Sequence, residues 1–234
     1  MSDKYYYEHT ASEKDWLAWY NKHEAKNYKG TSTTIDLIVV KFINDTLSVL
    51  VKSRDTHPFK GQLALPGSYL HDTENKSNQT ISRIYKDKLA LSHYSNLKSS
   101  QIQQLATYAD ANRDPRGRVV SIAYIIYDQM AEAKNGYKWI ELSQVKHYSN
   151  LAFNHGDILF DAHKRISDQF SWTPYVLQAL PQPFTLRDLV SLKADLHQKN
   201  AKLINRANLR KKMLQFIKKD HSKNNITYYK PTVF

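Results

Sequence analysis

Three arginines surround a Pro-Gly turn in the middle of the chain. Residues 113–118 read Arg-Asp-Pro-Arg-Gly-Arg. A tight turn needs the proline and the glycine but does not need three cations. Planar guanidinium groups donate paired hydrogen bonds to phosphate oxygens. The loop is therefore a candidate site for a diphosphate or a ribose phosphate. Alternatively, its arginines could pair only with Asp114 and with solvent.

A second segment rich in ionisable residues covers residues 61–90. Its opening, Leu63-Ala64-Leu65, has the pattern of a short strand that enters a Pro-Gly turn, and a polar loop follows. The later part has the length of a helix. It places four apolar side chains on one face, namely Ile81, Ile84, Tyr85 and Leu89. The segment therefore predicts a strand, a loop and a helix in that order.

This segment resembles the sequence box of the Nudix family. The family pattern is Gly-x5-Glu-x7-Arg-Glu-apolar-x-Glu-Glu-x-Gly-apolar. The residues that we assign to its defining positions are, in order, Gly67, Glu74, Ser82, Arg83, Lys86 and Asp87. In this assignment Ser82 replaces the arginine of the pattern, and Arg83, Lys86 and Asp87 fall at positions of glutamates.

These departures bear on the chemistry that the resemblance implies. In the family the helix clusters carboxylates that hold Mg²⁺ against a diphosphate, and this ion requires hard oxygen ligands. Arg83 and Lys86 would repel the cation, and only Asp87 keeps a carboxylate at a ligand position. We therefore predict a Nudix scaffold without catalytic residues, metal or other cofactor. The alternatives are a chance match and an active pyrophosphohydrolase that uses Glu74 and Asp87 with Mg²⁺.

The composition limits the class of protein. The chain has 234 residues, 41% of them hydrophobic, which suffices for one large domain or for a medium and a small one. It has no cysteine, so disulfides, thiolate metal sites and a cysteine nucleophile are excluded. The longest apolar stretches, residues 35–40 and 119–127, are too short to cross a bilayer, and residues 1–10 lack the apolar core of a signal peptide. We expect no membrane partner and a cytoplasmic location.

The positive charge is concentrated near the C-terminus. The formal net charge is +12, and residues 182–234 contain twelve basic and three acidic residues, so this last part carries +9. A basic module of this kind is typical of proteins that bind nucleic acid. The alternative is a solvated basic face without such a partner.

The periodicity of the same region predicts three helices. The first covers residues 175–180, and the second begins after the N-cap Thr185. A break at residues 198–203 precedes the third, which covers residues 206–217 and is capped by Asn205. Helices of this length with a short break between the last two are consistent with a helix-turn-helix.

A β-hairpin follows, with a polar tip at residues 220–225 and a returning strand at residues 226–230. Three helices and a hairpin form the order of a winged helix-turn-helix, whose third helix enters the major groove of DNA. Its candidate DNA-binding residues are Arg206, Asn208, Arg210, Lys211 and Lys212. Asn208 and Arg210 are suited to base edges and the two lysines to phosphates. The alternative is a helical bundle with a solvated basic face.

The patterns in the remaining segments predict further helices and strands. They are a helix over residues 10–23, strands over residues 32–42, 46–53, 119–127 and 136–142, a connector over residues 91–104, and a helix over residues 155–170. Ser12 and Asn154 are the expected N-caps of the two helices. His155 and His163 share a helical face. We expect structural roles rather than a zinc site, because the sequence shows no third ligand.

The order of the motifs resembles that of the Nudix-related transcriptional regulators. The motifs are Leu-Pro-Gly with Glu74, the Arg-Asp-Pro-Arg-Gly-Arg loop with the strand after it, Phe153-Asn154-His155, and the C-terminal Phe-Thr-Leu and Asn-Arg-x-Asn-Leu-Arg segments. This group includes repressors of NAD metabolism that respond to ADP-ribose, and relatives that respond to sugars. The segment before the box is similar as well, and it adds Arg54 to the candidate effector-binding residues.

The resemblance implies an α+β fold, a Nudix α/β/α sandwich with a mixed sheet followed by a winged helix-turn-helix domain. We expect an N-terminal helical extension over residues 1–30, an effector-binding Nudix domain over 31–170 and a DNA-binding domain over 171–234. The implied effector is a nucleotide-diphosphate sugar or a sugar, bound by Arg54, Arg113, Asp114, Arg116 and Arg118. The implied partner is a two-fold symmetric double-stranded DNA operator that meets a homodimer. A hydrolase and a non-specific RNA-binding protein are the alternatives.

Overall fold

The computed structural model describes residues 3–23, 30–89 and 97–232. The chain forms two compact units, Met1–Ser32 and Thr33–Phe234. The first unit contains α1 (Asp3–His9) and α2 (Glu13–His23).

The N-terminal helix begins later than the sequence predicted. Ser12 is its N-cap as expected, because the Ser12 hydroxyl accepts a hydrogen bond from the Asp15 N–H at 3.1 Å. However, residues 10 and 11 complete the last turn of α1, and the N–H of Thr10 donates to the Tyr6 carbonyl at 2.9 Å. The predicted helix over residues 10–23 is therefore shorter, and α1 is an additional helix.

A seven-stranded sheet forms the centre of the second unit. Its strands are β1 (Ser32–Ile43), β2 (Thr46–Ser53), β3 (Leu63–Ala64), β4 (Gly67–Tyr69), β5 (Ile102–Tyr108), β6 (Val119–Tyr127) and β7 (Tyr137–Glu141). The order is β3-β2-β1-β6-β5, with β4 paired to β1 and β7 paired to β2.

The sheet is mixed. Strands β1 and β6 run in the same direction, because hydrogen bonds join Thr34 to Val120 near one end and Val40 to Asp128 near the other. The pairings of β1 with β2 and β4, of β2 with β3 and β7, and of β5 with β6 are antiparallel. The predicted mixed sheet is therefore confirmed.

Helices cover both faces of this sheet because the side chains of β1 alternate between them. On one face Ile35, Leu37 and Val39 pack in a cluster with α3 (Ser77–Arg83) and the π-helical turn that continues it (Ile84–Lys88). On the other face Ile38 and Val40 share a cluster with α4 (His155–Gln169). The four apolar residues predicted on the face of the box helix are all buried. This arrangement is the predicted α/β/α sandwich.

Two parts of the sheet depart from the prediction. Residue 102, inside the predicted connector over residues 91–104, already begins β5, which pairs with β6. The glutamines of this strand made it resemble a surface connector in the sequence. In the fold, the side chain of Gln103 donates a hydrogen bond to that of Gln169 at 2.9 Å. Residues 91–96 of that connector lie outside the described residues. Strand β4 was predicted as loop, and its backbone pairs with β1.

The C-terminal elements form a helix-turn-helix with a small sheet. They are a 3-10 turn (Tyr175–Ala179), β8 (Phe184–Thr185), α5 (Leu186–Leu196), a second 3-10 turn (Ala201–Leu203), α6 (Arg206–Met213), β9 (Ile217–Lys223) and β10 (Ile226–Pro231). The three strands pair in the order β8-β10-β9. Thr185 caps α5 and Asn205 caps α6, as predicted.

The boundaries of these elements differ from the prediction. The expected first helix is only a 3-10 turn, so the region has two α-helices rather than three. Helix α6 ends at Met213 instead of residue 217, because Ile217 pairs with Pro231 at the start of the hairpin. The hairpin tip is correspondingly shorter. It consists of Asn224 and Asn225, which adopt φ angles of 51° and 61°.

One hydrophobic cluster extends across the predicted domain boundary at residue 171. Phe170, Leu177 and Leu189 belong to the same buried cluster as Val40 of β1 and Leu47 of β2. The C-terminal elements therefore pack with the sheet, and the predicted boundary stays a prediction. Within the described ranges, no helix has the length and apolar character needed to cross a membrane.

Candidate functional site

A polar cavity of about 260 Å³ lies at the junction of β1, β4, the arginine loop and the start of α4. Its lining includes Arg54, Arg113, Asp114 and Arg116, four of the five effector-binding residues predicted from the sequence. Arg54 is far in the chain from the other three, and the fold brings all four to one opening. The fifth, Arg118, is exposed and does not line the cavity, since it lies beyond the turn and directly before β6.

Asp36 forms the floor of the cavity, and the sequence did not single it out. Its residue is 6% exposed, and its carboxylate accepts hydrogen bonds from Ser121 Oγ and from Arg113 Nη2, the latter at 3.3 Å. Burial alone would raise the pKa of Asp36. The interaction with nearby His155, the hydrogen bond from Ser121 and the charge of Arg113 together outweigh burial, so that the pKa lies below its usual value. The floor is therefore an ionised carboxylate that fixes the position of Arg113.

His155 has a structural role in this network. Its Nδ1 accepts a hydrogen bond from the N–H of Leu65 at 3.0 Å, and its Nε2 lies 3.7 Å from Asp36 Oδ2. Gly67 also approaches this carboxylate, since a Cβ atom at this glycine would lie 2.1 Å from Asp36 Oδ1. Only glycine fits at that point of β4.

The arginine loop contains both structural and exposed guanidinium groups. Arg116 pairs with Asp114 through two bonds of 2.9 and 2.6 Å, although 46% of its side chain remains exposed. Arg113 is buried, and its Nε donates to Asn154 Oδ1 at 3.0 Å. Asn154 does occupy the N-cap position of α4 as predicted, but its side chain does not cap the helix. That side chain holds Arg113 in the cavity instead.

Aromatic rings complete the wall of the cavity. The guanidinium carbon of Arg54 lies 4.9 Å from the centroid of the Phe153 ring, and that of Arg116 lies 5.8 Å from the same ring and 5.5 Å from Tyr69. Arg54 Nε donates to the carbonyl of Pro58 at 2.6 Å, which fixes the orientation of the side chain. Burial and the nearby Arg116 lower the pKa of Arg54. The cavity thus offers stacked, preoriented cations beside an apolar ring.

Two of the box residues, Glu74 and Arg83, form an ion pair. Arg83 Nε and Nη2 donate to the two oxygens of Glu74 at 2.7 and 3.0 Å, and Thr80 and the His71 N–H donate to the same carboxylate. The hydrogen bond from Arg83 lowers the pKa of Glu74 to about 2. Arg83 also donates to Ser68 Oγ at 2.9 Å. Arg83 is therefore held in place by Glu74 and Ser68, a pairing that the sequence did not indicate.

The assignment of the box must also be shifted. Six residues separate Gly67 from Glu74, whereas the pattern has five, so Ser68 rather than Gly67 falls at the first position of the pattern. Ser68 and Glu74 are both bound by Arg83, which joins the loop to α3. The sequence pattern alone did not show that Arg83 pairs with Glu74 and Ser68.

The residues present do not fit Mg²⁺. Both oxygens of Glu74 already accept hydrogen bonds, and Asp87 is exposed. The ammonium of Lys88 lies against the carbonyl oxygen of Gly67. In the described part of the chain, no three His, Cys, Asp or Glu residues cluster in a way that could hold a metal ion. His163, which the sequence paired with His155, keeps its Nε2 buried without a hydrogen-bond partner.

A second candidate surface lies on α6. The five predicted DNA-binding residues, Arg206, Asn208, Arg210, Lys211 and Lys212, are all exposed, while Leu209 and Met213 face the core. Arg210 Nε donates to the hydroxyl of Tyr229 on β10 at 3.1 Å. The hairpin adds exposed lysines that the site prediction omitted, although the charge run in the sequence had indicated them. They are Lys218, Lys219 and Lys223.

Known proteins resemble this chain in sequence. No family model matches it. The ADPR-responsive transcriptional repressor NtrR of Acinetobacter baylyi is 28% identical over 188 residues, which are 78% of this chain and 72% of that repressor. The ADP-ribose pyrophosphatase of Methanocaldococcus jannaschii is 30% identical over 145 residues, which are 60% of this chain and 79% of that enzyme.

Solved structures extend the similarity to the fold. A MutT/nudix family protein from Enterococcus faecalis matches with a TM-score of 0.80 and 24% identity over 99% of this chain and 98% of its own. Shewanella oneidensis NrtR in complex with a 27mer DNA matches with a TM-score of 0.71 and 26% identity over 86% and 93%. The NUDIX domain of the same protein in complex with ADP ribose matches with a TM-score of 0.52 and 28% identity over 67% and 99%.

Proposed function

This chain belongs to the family of Nudix-related transcriptional regulators, and on that premise we propose that it is a DNA-binding regulator that responds to ADP-ribose or a related nucleotide-diphosphate sugar. The observation that carries this proposal is the cavity, which gathers arginines beside an aromatic ring in a domain whose box residues do not fit a catalytic metal.

The chemistry of the cavity suits a diphosphate that is attached to a ribose or a base. Arg54 and Arg116 offer guanidinium groups to phosphoryl oxygens, and both are stacked near Phe153. Asp36 and Asn154 hold Arg113 in place before a ligand arrives, which reduces the entropy lost on binding. A ring at the wall can also pack against a base or a sugar face.

The surface of α6 suits the major groove of DNA. Its basic and amide side chains project from a helix whose other face is buried, as in a helix-turn-helix. The hydrogen bond from Arg210 to Tyr229 of the hairpin fixes the orientation of the Arg210 side chain. In this proposal Asn208 and Arg210 contact base edges, and Lys211 and Lys212 contact phosphates.

Two hydrogen bonds connect α5 to the effector-binding domain. Asp195 of α5 accepts hydrogen bonds from the N–H of Leu47 in β2 and from the Ser143 hydroxyl, both at 2.8 Å. In this proposal, these hydrogen bonds are the contacts through which a change in the sheet reaches α5. As part of the proposal, the regulator acts as a homodimer on a two-fold symmetric operator in the cytoplasm. The effector changes DNA affinity only if it binds one dimer geometry better than the other.

Pyrophosphohydrolysis is disfavoured by the state of Glu74. Hydrolysis in this fold needs carboxylates that are free to hold Mg²⁺ and to activate water. Glu74 is instead bound by Arg83, Thr80 and the His71 N–H. These hydrogen bonds to Glu74 leave the binding cavity intact. Binding of a ligand without its hydrolysis is therefore physically consistent.

The proposal is tested by DNA selection with the full chain. Fragments retained from a random library are sequenced, and the affinity of the enriched sequence is compared with that of bulk DNA. We expect a preference of roughly a thousandfold or more for a palindromic site and an affinity that changes when ADP-ribose is added. Equal retention of all nucleic acids would favour a non-specific binding protein and would overturn the proposal.

Matched variants separate the two surfaces. Arg210→Ala should weaken operator binding and leave ADP-ribose binding unchanged. Arg116→Gln should do the reverse. Arg118→Gln is the control, because it removes a guanidinium from the same loop outside the cavity. If Arg116→Gln and Arg118→Gln had the same effect on ADP-ribose binding, the cavity would be the wrong site.

A further inference from the structure

Lys88 places an ammonium group where the Nudix box meets the cavity. The residue ends the π-helical turn after α3, and its Nζ donates a hydrogen bond to the carbonyl oxygen of Gly67 in β4. It lines the same cavity as Arg54, Arg113 and Arg116. The sequence prediction did not include this lysine among the effector-binding residues.

The charges of the cavity are unequally paired. Of its four cations, Arg113 pairs with Asp36 and Arg116 pairs with Asp114. Within the described residues, Arg54 and Lys88 have no carboxylate within 4 Å, so the cavity carries two uncompensated positive charges. A diphosphate has the complementary charge.

The surroundings of Lys88 favour an incoming anion. Burial lowers the pKa of Lys88, the charges of Arg83, Arg54 and Lys52 lower it further, and Asp36 acts in the opposite direction. A cation that lies beside other cations is stabilised by a bound anion, because the anion offsets their mutual repulsion.

We propose that Lys88 replaces the divalent metal of the Nudix box, so that its ammonium and Arg54 bind the phosphoryl oxygens of the ligand without Mg²⁺. This inference rests on the proposed function, since it concerns the same cavity. An ammonium supplies charge and hydrogen bonds to an anion. Unlike Mg²⁺, it does not act as a Lewis acid that generates hydroxide from bound water. The substitution therefore accounts for binding that is not followed by cleavage.

The test is calorimetric titration of the full chain with ADP-ribose, once in buffer with a chelator and once with Mg²⁺. We expect the same affinity in both buffers. Lys88→Gln should weaken binding by roughly ten- to a hundredfold, because one charge-assisted hydrogen bond is lost, and Lys88→Arg should retain most of it. Lys86→Gln is the matched control, since it removes an exposed lysine from the same turn outside the cavity. Titration with adenosine, which lacks the diphosphate, should not distinguish the variants.

Three results would contradict the inference. The first is binding by the unmodified chain that needs Mg²⁺. The second is an equal affinity of Lys88→Gln and Lys86→Gln for ADP-ribose. Either of these two results would leave the proposed regulator function standing. The third is no ADP-ribose binding in either buffer, which would overturn the proposed effector together with this inference. If Lys88→Gln does not fold, the comparison of the two buffers with the unmodified chain still tests the inference.

Discussion

Neutralising Glu74 should destabilise this protein, because its carboxylate accepts hydrogen bonds that join the loop to α3. In Glu74→Gln, one carboxylate oxygen that accepts hydrogen bonds becomes an NH₂ group that faces donors. Four hydrogen bonds converge on the native side chain, two of them from Arg83. The side chains of Glu74 and Arg83 are 10% and 21% exposed, so solvent screens the pair only partly.

The expected loss follows from these contacts. A hydrogen bond to a charged group contributes about 1.5–3 kcal/mol, and an isosteric amide keeps part of the network. We expect Glu74→Gln to lower the free energy of unfolding by about 2–3 kcal/mol. For a chain of this size that corresponds to a fall in melting temperature of roughly 4–12 °C, measured by circular dichroism.

The pH dependence gives a second readout of the same pair. The pKa of Glu74 is about 2 in the folded protein, against an ordinary value of 4.5. A lowered pKa means that the stabilisation is complete above about pH 4.5 and is lost as the pH falls toward 2. The difference in melting temperature between the native chain and Glu74→Gln should therefore be constant near neutral pH and should shrink in that window.

Glu132→Gln is the control for this prediction. Glu132 pairs with Lys134 at 3.3 Å, but the two side chains are 66% and 48% exposed, so its removal should change stability by less than about 0.5 kcal/mol. A double-mutant cycle with Arg83→Gln should give a favourable coupling energy for the Glu74 pair. If Glu74→Gln unfolded at the same temperature as Glu132→Gln, the structural role of Glu74 would be refuted.

Three other substitutions test the remaining contacts. Gly67→Ala should destabilise the chain by about 1–3 kcal/mol in urea unfolding, because its Cβ would overlap the carboxylate of Asp36; an unchanged midpoint would contradict this packing. Asp195→Ala should cost about 1–3 kcal/mol in the same assay, since the N–H of Leu47 loses its acceptor, and no loss would show that the contact is dispensable. Lys211→Gln should reduce the slope of log affinity for DNA against log salt by about 1, and an unchanged slope would exclude a phosphate contact.

Local signals in the sequence predicted most elements of the fold. Runs of β-branched and other apolar residues identified β1 and β6 as strands, and the Thr185 and Asn205 caps identified the starts of α5 and α6. These features depend on near neighbours in the chain. Elements whose local pattern was ambiguous were missed. The glutamines of β5 resemble a surface connector, and the apolar residues at 216 and 217 suit either a helix or a strand.

The candidate site was predicted less completely, because its geometry depends on distant contacts. The arginine loop and Arg54 were found from residue type and motif, and four of those five residues line one cavity. Asp36 lies inside an apolar strand, and its role depends on Ser121 and Arg113, which are 85 and 77 residues away. The pairing of Arg83 with Glu74 depends on the path of the loop between them. A pattern that counts positions cannot show that path.

The most direct test of the whole account is fluorescence anisotropy of a labelled operator, titrated with the full chain in a chelating buffer with and without ADP-ribose. We predict that ADP-ribose changes the dissociation constant for DNA by about 5- to 150-fold in the absence of any divalent metal. An unchanged DNA affinity at saturating ADP-ribose, or a change that occurs only when Mg²⁺ is restored, would contradict the claim that this Nudix fold binds its ligand and reports it to DNA without hydrolysis.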